Sequence, residues 1–267
     1  FITEKGFVLS KREFWDAVSL RYGWSMAPLP ATCAGGERFD ISHALSCKKG
    51  GFVSQRHNEL RDLTANLLAE VCCDVCVEPP LNELTGETLE LRSANTSSEA
   101  RLDISARGVW AKGQRAFFDV RVIDPLARKY NGQTPAQCYR SNEKEKKRSY
   151  NERVLQVENG TFTPLVFSAT GGMGVECTMF FKRLVSMLAE KRNVQLSLVA
   201  SWLHTKLSFA LLRSALLCVR GTRYRFYKPT IAETDIALDM HECMIREHCE
   251  CFNINILNVL TVFTMFL

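Results

Sequence analysis

Two aspartates are set in unusual surroundings: Asp103 in "RLDIS" and Asp119 in "FFDVRV". Both lie in short stretches that read as strands, where an isolated carboxylate is costly unless it finds a cation, shifts its pKa or binds a metal. Two carboxylates brought together on a sheet suit a hard divalent ion such as Mg²⁺ or Mn²⁺. Such a pair with its ion is a means of phosphodiester cleavage, because the ion neutralises phosphate, lowers the pKa of a bound water and stabilises the leaving oxygen. Arg121 follows two residues after Asp119. It suits bidentate phosphate binding but does not deprotonate at workable pH, so it is no base. The structural alternative for both aspartates is an ion pair with Arg101 or Arg121.

The elements that would position these groups are legible. Leu102 and Ile104 alternate with Arg101, Asp103 and Ser105, the period of a strand with one apolar face. After the turn-like "VWAKGQR", the segment "AFFDVRVI" places Phe117, Asp119, Arg121 and Ile123 on one face and Phe118, Val120 and Val122 on the other. As antiparallel neighbours these strands bring Asp103 and Asp119 to one edge of the sheet.

Before them, Ser10 caps a helix with Phe14, Ala17, Val18 and Tyr22 on one face, and a turn-rich stretch runs from Pro28 to Gly51. "RHNELRDLTANLLAEV" is an amphipathic helix with Leu60, Leu63, Leu67 and Val71 on one side. A short strand at "CVEPP" follows, then a hairpin or loop from Leu81 to Glu99. Beyond the third strand come a charged helix ended by Asn159-Gly160, a strand "TFTPLVFSAT" and a glycine-led helix. The class is α/β, in the order helix, strand, strand, strand, helix, strand, helix.

On the charged helix, Arg140, Lys144, Lys147 and Arg148 cluster, which suits phosphate; the alternative is a solvated face with i to i+4 pairs. The expected partner is DNA, with RNA as the alternative, through the basic helix 140–153. "ATGGMG" could cradle phosphate at a helix start but lacks the Lys-Ser/Thr of a nucleotide loop and reads as a tight strand-to-helix turn; no small-molecule cofactor is expected. His57 is read as a capping or packing residue. The 267 residues, 46% hydrophobic and 24% charged, suffice for a sizeable core, and the net charge of +5 permits nucleic acid without requiring it. Eleven cysteines form no even framework, and no leader precedes them, so free thiols in an intracellular protein, nuclear or cytoplasmic and not secreted, are expected. Cys72, Cys73 and Cys76 read as packed thiols. The apolar tail from Phe252 is interrupted by Asn253, Asn255 and Asn258, which argues against a membrane anchor. His241, Cys243, His248, Cys249 and Cys251 show no finger spacing, and a capping box from Thr230 to Glu233 suggests an ordinary helix there.

With the Asp of "RLD" on the second strand and "DVR" on the third, this order resembles the PD-(D/E)XK nuclease superfamily, whose core is helix-strand-strand-strand-helix-strand. The resemblance implies a metal-dependent endonuclease-like domain with Asp103 and Asp119 as Mg²⁺ or Mn²⁺ ligands and Arg121 where the family has lysine. Lys144 or Lys147 would replace that lysine from the following helix, and Glu59, with Asp62 as rival, would be the helix-borne carboxylate that joins the site.

A longer resemblance rests on "HALSCKKGGF", "RHNELRDLTANLL", "RLDISARGVW", "FFDVRV", "NERVLQVENGTFTPLVFSATGGMG" and "LSFALLRSALLCVRG". These words are similar to uncharacterised animal proteins related to a segment downstream of reverse transcriptase in retroelement polyproteins. That resemblance implies a mobile-element origin and a zinc knuckle from a Cys-x-Cys-Gly stretch with His43 and Cys47. Here the stretch reads Cys33-Ala34-Gly35-Gly36, leaving three ligands, Cys33, His43 and Cys47. An unmetallated loop is the alternative. The expected divisions are 1–51, a helix with the degenerate knuckle; 52–220, the nuclease-like domain; and 221–267, a helix and apolar tail. Two other readings remain open: a non-catalytic nucleic-acid-binding remnant and a structural segment of a polyprotein.

Overall fold

The computed structural model describes Phe7, residues 9–26 and residues 28–221. The readings on the tail and on the late His and Cys group lie outside the described residues.

Helix α1 spans Lys11–Tyr22 and opens on a reciprocal cap, in which Ser10 Oγ accepts from the Glu13 N–H and a Glu13 carboxylate oxygen accepts from the Ser10 N–H. Ala17 is buried as expected, but Tyr22 is exposed. The turn-rich stretch holds a short helix that periodicity did not reveal, α2 (Ile41–Ser46), capped by Asp40 accepting from the His43 N–H at 2.7 Å.

Helix α3 (Phe52–Val71) starts four residues before the predicted segment, and its buried side includes Leu60, Leu67 and Leu68. The strands are β1 (Cys73–Val77), β2 (Ile104–Arg107) and β3 (Arg115–Ile123). Helix α4 (Pro135–Gln156) begins earlier than its charge run because Thr134 and Gln137 form a second reciprocal cap with Pro135 at the first helical position. Then come β4 (Thr161–Ser168), α5 (Val175–Arg192) and α6 (Leu196–Val219). Residues 52–192 thus carry the order read from sequence.

The four strands lie side by side in chain order, antiparallel from β1 to β3, with β4 parallel to β3. The protein is of the mixed α/β class, since the parallel β3–β4 pair needs the α4 crossover. Period two on β3 decides what covers each face. Phe117 packs with Leu102, Phe162 and Val154 of α4, and Ile123 with Tyr130, Cys138 and Val166. On the other face the Phe118 ring lies 4.7 Å from Phe180 of α5, and Val122 packs with Phe52 of α3 and with Ala215 and Cys218 of α6. Asp119 and Arg121 therefore look toward α4.

The stretch between Leu81 and Glu99 is a loop, held by a fully buried Arg153. Its guanidinium donates to the carbonyls of Asn82, Asn95 and Ser97 at 2.8, 2.8 and 2.7 Å. These bonds satisfy backbone acceptors that an irregular segment leaves without sheet partners. "ATGGMG" is the tight turn expected: the Gly172 N–H donates to Ser168 Oγ at 2.8 Å, and a Cβ on Gly172 would fall 2.2 Å from Tyr139 Oη, so glycine is sterically required. Among the described residues no helix is long and apolar enough to cross a membrane.

Candidate metal and nucleic-acid site

Asp103 stands one residue before β2. Ile104 is paired with Phe118, so extending the antiparallel register by one residue sets Asp103 opposite Asp119. The Asp103 N–H donates to the Phe118 carbonyl at 3.1 Å. Its carboxylate is held from two sides: Oδ2 accepts the Val120 N–H at 2.6 Å, and Oδ1 lies 3.0 Å from Nε2 of His57 on α3. The hydrogen bond to Asp103 raises the His57 pKa from its ordinary value, against the opposing effect of burial, and the charges of Asp103 and Asp119 raise it further.

Asp119, buried on β3, has its carboxyl pKa raised by desolvation first, with the Asp103 charge adding to the rise and the Lys146 charge opposing it. Lys146 Nζ lies 2.6 Å from Asp119 Oδ2. The two aspartates thus share one field: Asp119 is paired with a lysine, and Asp103 with a histidine that is a cation only when protonated. Arg121 forms a fork with Glu145 of α4, at 2.9 Å (Nη1 to Oε2) and 3.1 Å (Nη2 to Oε1). That pairing lowers the Glu145 pKa.

The residues expected from sequence separate into three groups. Asp103 and Asp119 come together at one end of the β2–β3 pair, and Arg121, two residues on along β3, is turned to Glu145 of α4. Glu59 is elsewhere: its carboxylate accepts from Ser214 Oγ on α6 at 2.6 Å. Residues two apart on a helix point roughly 200° apart, so when His57 turns to the sheet, Glu59 turns away from it. The expected lysines are displaced for the same reason. Lys144 is exposed and Lys147 pairs with Glu176 of α5, whereas Lys146 faces the sheet. Asn142, Lys146, Tyr150 and Val154 recur at four-residue steps along α4, and Val154 and Tyr150 belong to the core beside Phe117. That periodicity was the signal for Lys146. His57 lies one residue beyond the buried Arg56 and three before the buried Leu60, a weaker signal.

Arg140, Lys144 and Arg148 are exposed at successive four-residue steps on α4. The helix therefore presents a cationic stripe to solvent and Lys146 and Glu145 to the sheet.

A second cluster forms where α2 begins and ends. His43 and Cys47, four residues apart, meet Cys33 from the preceding turn, and the ligand atoms of all three lie within 4.8 Å of one another. Among the described residues this is the one such group of three or more; the set of Asp103, Asp119 and His57 is not gathered that closely. Cys33 Sγ accepts the Gly35 N–H at 3.2 Å. This bond leads in lowering the Cys33 thiol to about 7, with the Glu37 backbone and the His43 and Cys47 side chains helping and burial opposing. The trio is a group able to hold a metal ion.

No protein-family model matches the chain, and no curated protein matches it.

Proposed function

We propose that residues 52–192 form a PD-(D/E)XK-type nuclease core of mobile-element origin, acting on DNA with Mg²⁺ or Mn²⁺. The observation that carries this reading is the opposition of Asp103 and Asp119 on adjacent strands, beside a helix with Arg140, Lys144 and Arg148 on its outer side. Two carboxylates one strand apart suit a hard cation, and a buried Asp119 with a raised pKa is a group that gains from such a charge. Asp103 and Asp119 would hold the ion, with His57 beside them. When bound, the ion would neutralise the scissile phosphate and acidify a water.

The chain's own residues set what else happens. Lys146 is paired with Asp119, and with an ion held by the aspartates it would be available as a cation for phosphate. This places on α4 the charge that Arg121, forked to Glu145, does not offer. Arg140, Lys144 and Arg148 attract the DNA backbone without reading sequence. Among the described residues, His57, held by Asp103, is a group beside the pair able to exchange a proton near neutral pH.

A second reading is favoured by the same ion pairs. Lys146–Asp119, His57–Asp103 and Arg121–Glu145 give each charged group of the site an oppositely charged or titratable partner, as in a non-catalytic nucleic-acid-binding remnant. The experiment that separates the readings is nicking of supercoiled plasmid with Mg²⁺ or Mn²⁺, wild type against Asp119→Asn. At the Cys33, His43 and Cys47 cluster the proposed ion is zinc, since two thiolates and an imidazole suit a borderline-soft cation.

A further inference from the structure

We propose that Cys33, His43 and Cys47 hold zinc through three protein ligands only, with the fourth position, beside Gly35, open to water or an added small ligand, so that the metal is exchangeable. This rests on the zinc reading of the cluster and goes beyond it in assigning the coordination.

Three observations carry it. First, the His43 Nε2 atom is buried and has no hydrogen-bond partner among the described residues, on a ring of which one nitrogen lies within 4.8 Å of both the Cys33 and Cys47 sulfurs. A buried ring nitrogen without a partner is costly in an unligated site, and a metal bond would satisfy it. Second, the turn directs a backbone donor at the Cys33 sulfur. The Gly35 N–H points at Cys33 Sγ, the Cys33 N–H donates to the Glu37 carbonyl at 2.8 Å, and the Gly36 N–H donates to the Cys33 carbonyl at 2.9 Å. An amide donated to sulfur stabilises negative charge there. Third, among the described residues no fourth His, Cys, Asp or Glu joins the group.

Gly35 locates the open position. A Cβ built on it would lie 3.5 Å from Cys33 Sγ, so a side chain at this residue would project beside the ligand atoms. Gly35 is exposed and its φ lies outside the left-handed region, so an L-residue is tolerated by the backbone. The nearest obstacle is Lys49 Cγ at 3.3 Å, part of a flexible side chain that can give way. The cluster stands on an apolar base of Met26, Phe39, Ala44 and Val219, which fixes the ligands from below and leaves the Gly35 side to solvent. Zinc with three protein ligands keeps a water or exogenous group as the fourth, and zinc with four is closed.

The test is titration of the full chain, stripped of metal, with Co²⁺ as a visible probe and with Zn²⁺ against a chelator. Wild type should bind one Co²⁺ with thiolate-to-metal absorption, and adding imidazole should shift its ligand-field bands. Gly35→Cys should bind roughly tenfold or more tightly, with bands that imidazole leaves unmoved, because a fourth thiolate closes the tetrahedron. Gly35→Ala, which adds the Cβ without the sulfur, should bind as wild type does. If imidazole leaves the wild-type bands unmoved, or if Gly35→Cys binds no more tightly than Gly35→Ala, the open position is wrong while zinc binding stands. If neither wild type nor Gly35→Cys takes up Co²⁺ or Zn²⁺, the zinc reading falls and this inference with it.

Discussion

Lys146 Nζ lies 2.6 Å from Asp119 Oδ2, so the most buried carboxylate of the sheet carries an internal cation delivered by the crossover helix. Removing one member of such a pair leaves the other charge desolvated and uncompensated. Lys146→Met should destabilise the protein by about 2 kcal/mol, a value below that of a fully buried pair because the lysine is partly exposed. Adding Asp119→Asn should recover most of the loss. Urea unfolding of the two single variants and the double variant measures the coupling. Additive effects would mean the pair contributes nothing.

His57 provides a pH test in metal-free protein. Its hydrogen bond to Asp103 raises its pKa above the ordinary histidine value of 6.5. A group with a raised folded-state pKa contributes stability that is fully present below the unfolded value and is lost as pH rises through the folded value. Stability from this pair should therefore fall from weakly acid pH upward. NMR titration of the His57 ring should give a value above 6.5 in wild type and a lower one in Asp103→Asn. An unchanged value in the variant would remove Asp103 as the cause.

Arg153 should be the weak point of the long loop. Its guanidinium donates to three loop carbonyls from a fully buried position. Arg153→Leu keeps the apolar stem and deletes the donors, and should cost about 3 kcal/mol, consistent with several buried acceptors losing charged donors. Amide exchange should rise selectively between Asn82 and Ser97. Uniform loosening of the sheet would show that the loop and sheet unfold as one.

What sequence could resolve here depended on face and period. The β2 and β3 assignments followed from alternation at Leu102, Ile104 and Phe117 to Ile123, and the strand period set Asp119 and Arg121 on one face, toward α4. The helices were harder. On α4, charge alone drew attention to Lys144 and Lys147, but packing selects Lys146 through its spacing to Tyr150 and Val154. On α3, a carboxylate was sought and Glu59 chosen, while the sheet meets His57. Both errors come from ranking residues by type before fixing which side of the helix is covered. The α2 helix was missed because six residues are too few for a periodic signal, although Asp40 was a usable cap. Cys33, His43 and Cys47 were legible as a group only through the resemblance to the retroelement-related proteins, and their approach required a fold to bring residues 33 and 43 together.

The cationic stripe makes a prediction common to both readings of the site. Replacing Arg140, Lys144 and Arg148 by Gln should weaken DNA binding without regard to sequence. The log–log salt slope should flatten by about 0.9 for each phosphate that is no longer neutralised. Fluorescence anisotropy across a salt series measures it, and an unchanged slope would place the DNA elsewhere.

If Asp103 and Asp119 are a metal-dependent cleavage pair, plasmid nicking is the decisive assay. Wild-type protein should nick supercoiled DNA in Mg²⁺ or Mn²⁺ and stop with a chelator. Asp119→Asn should abolish nicking while DNA affinity holds or rises, because a negative charge near the phosphate has gone. Nicking that survives in both Asp119→Asn and Asp103→Asn, or a wild type that binds DNA and does not cut it in either metal, would refute the cleavage role of the two aspartates.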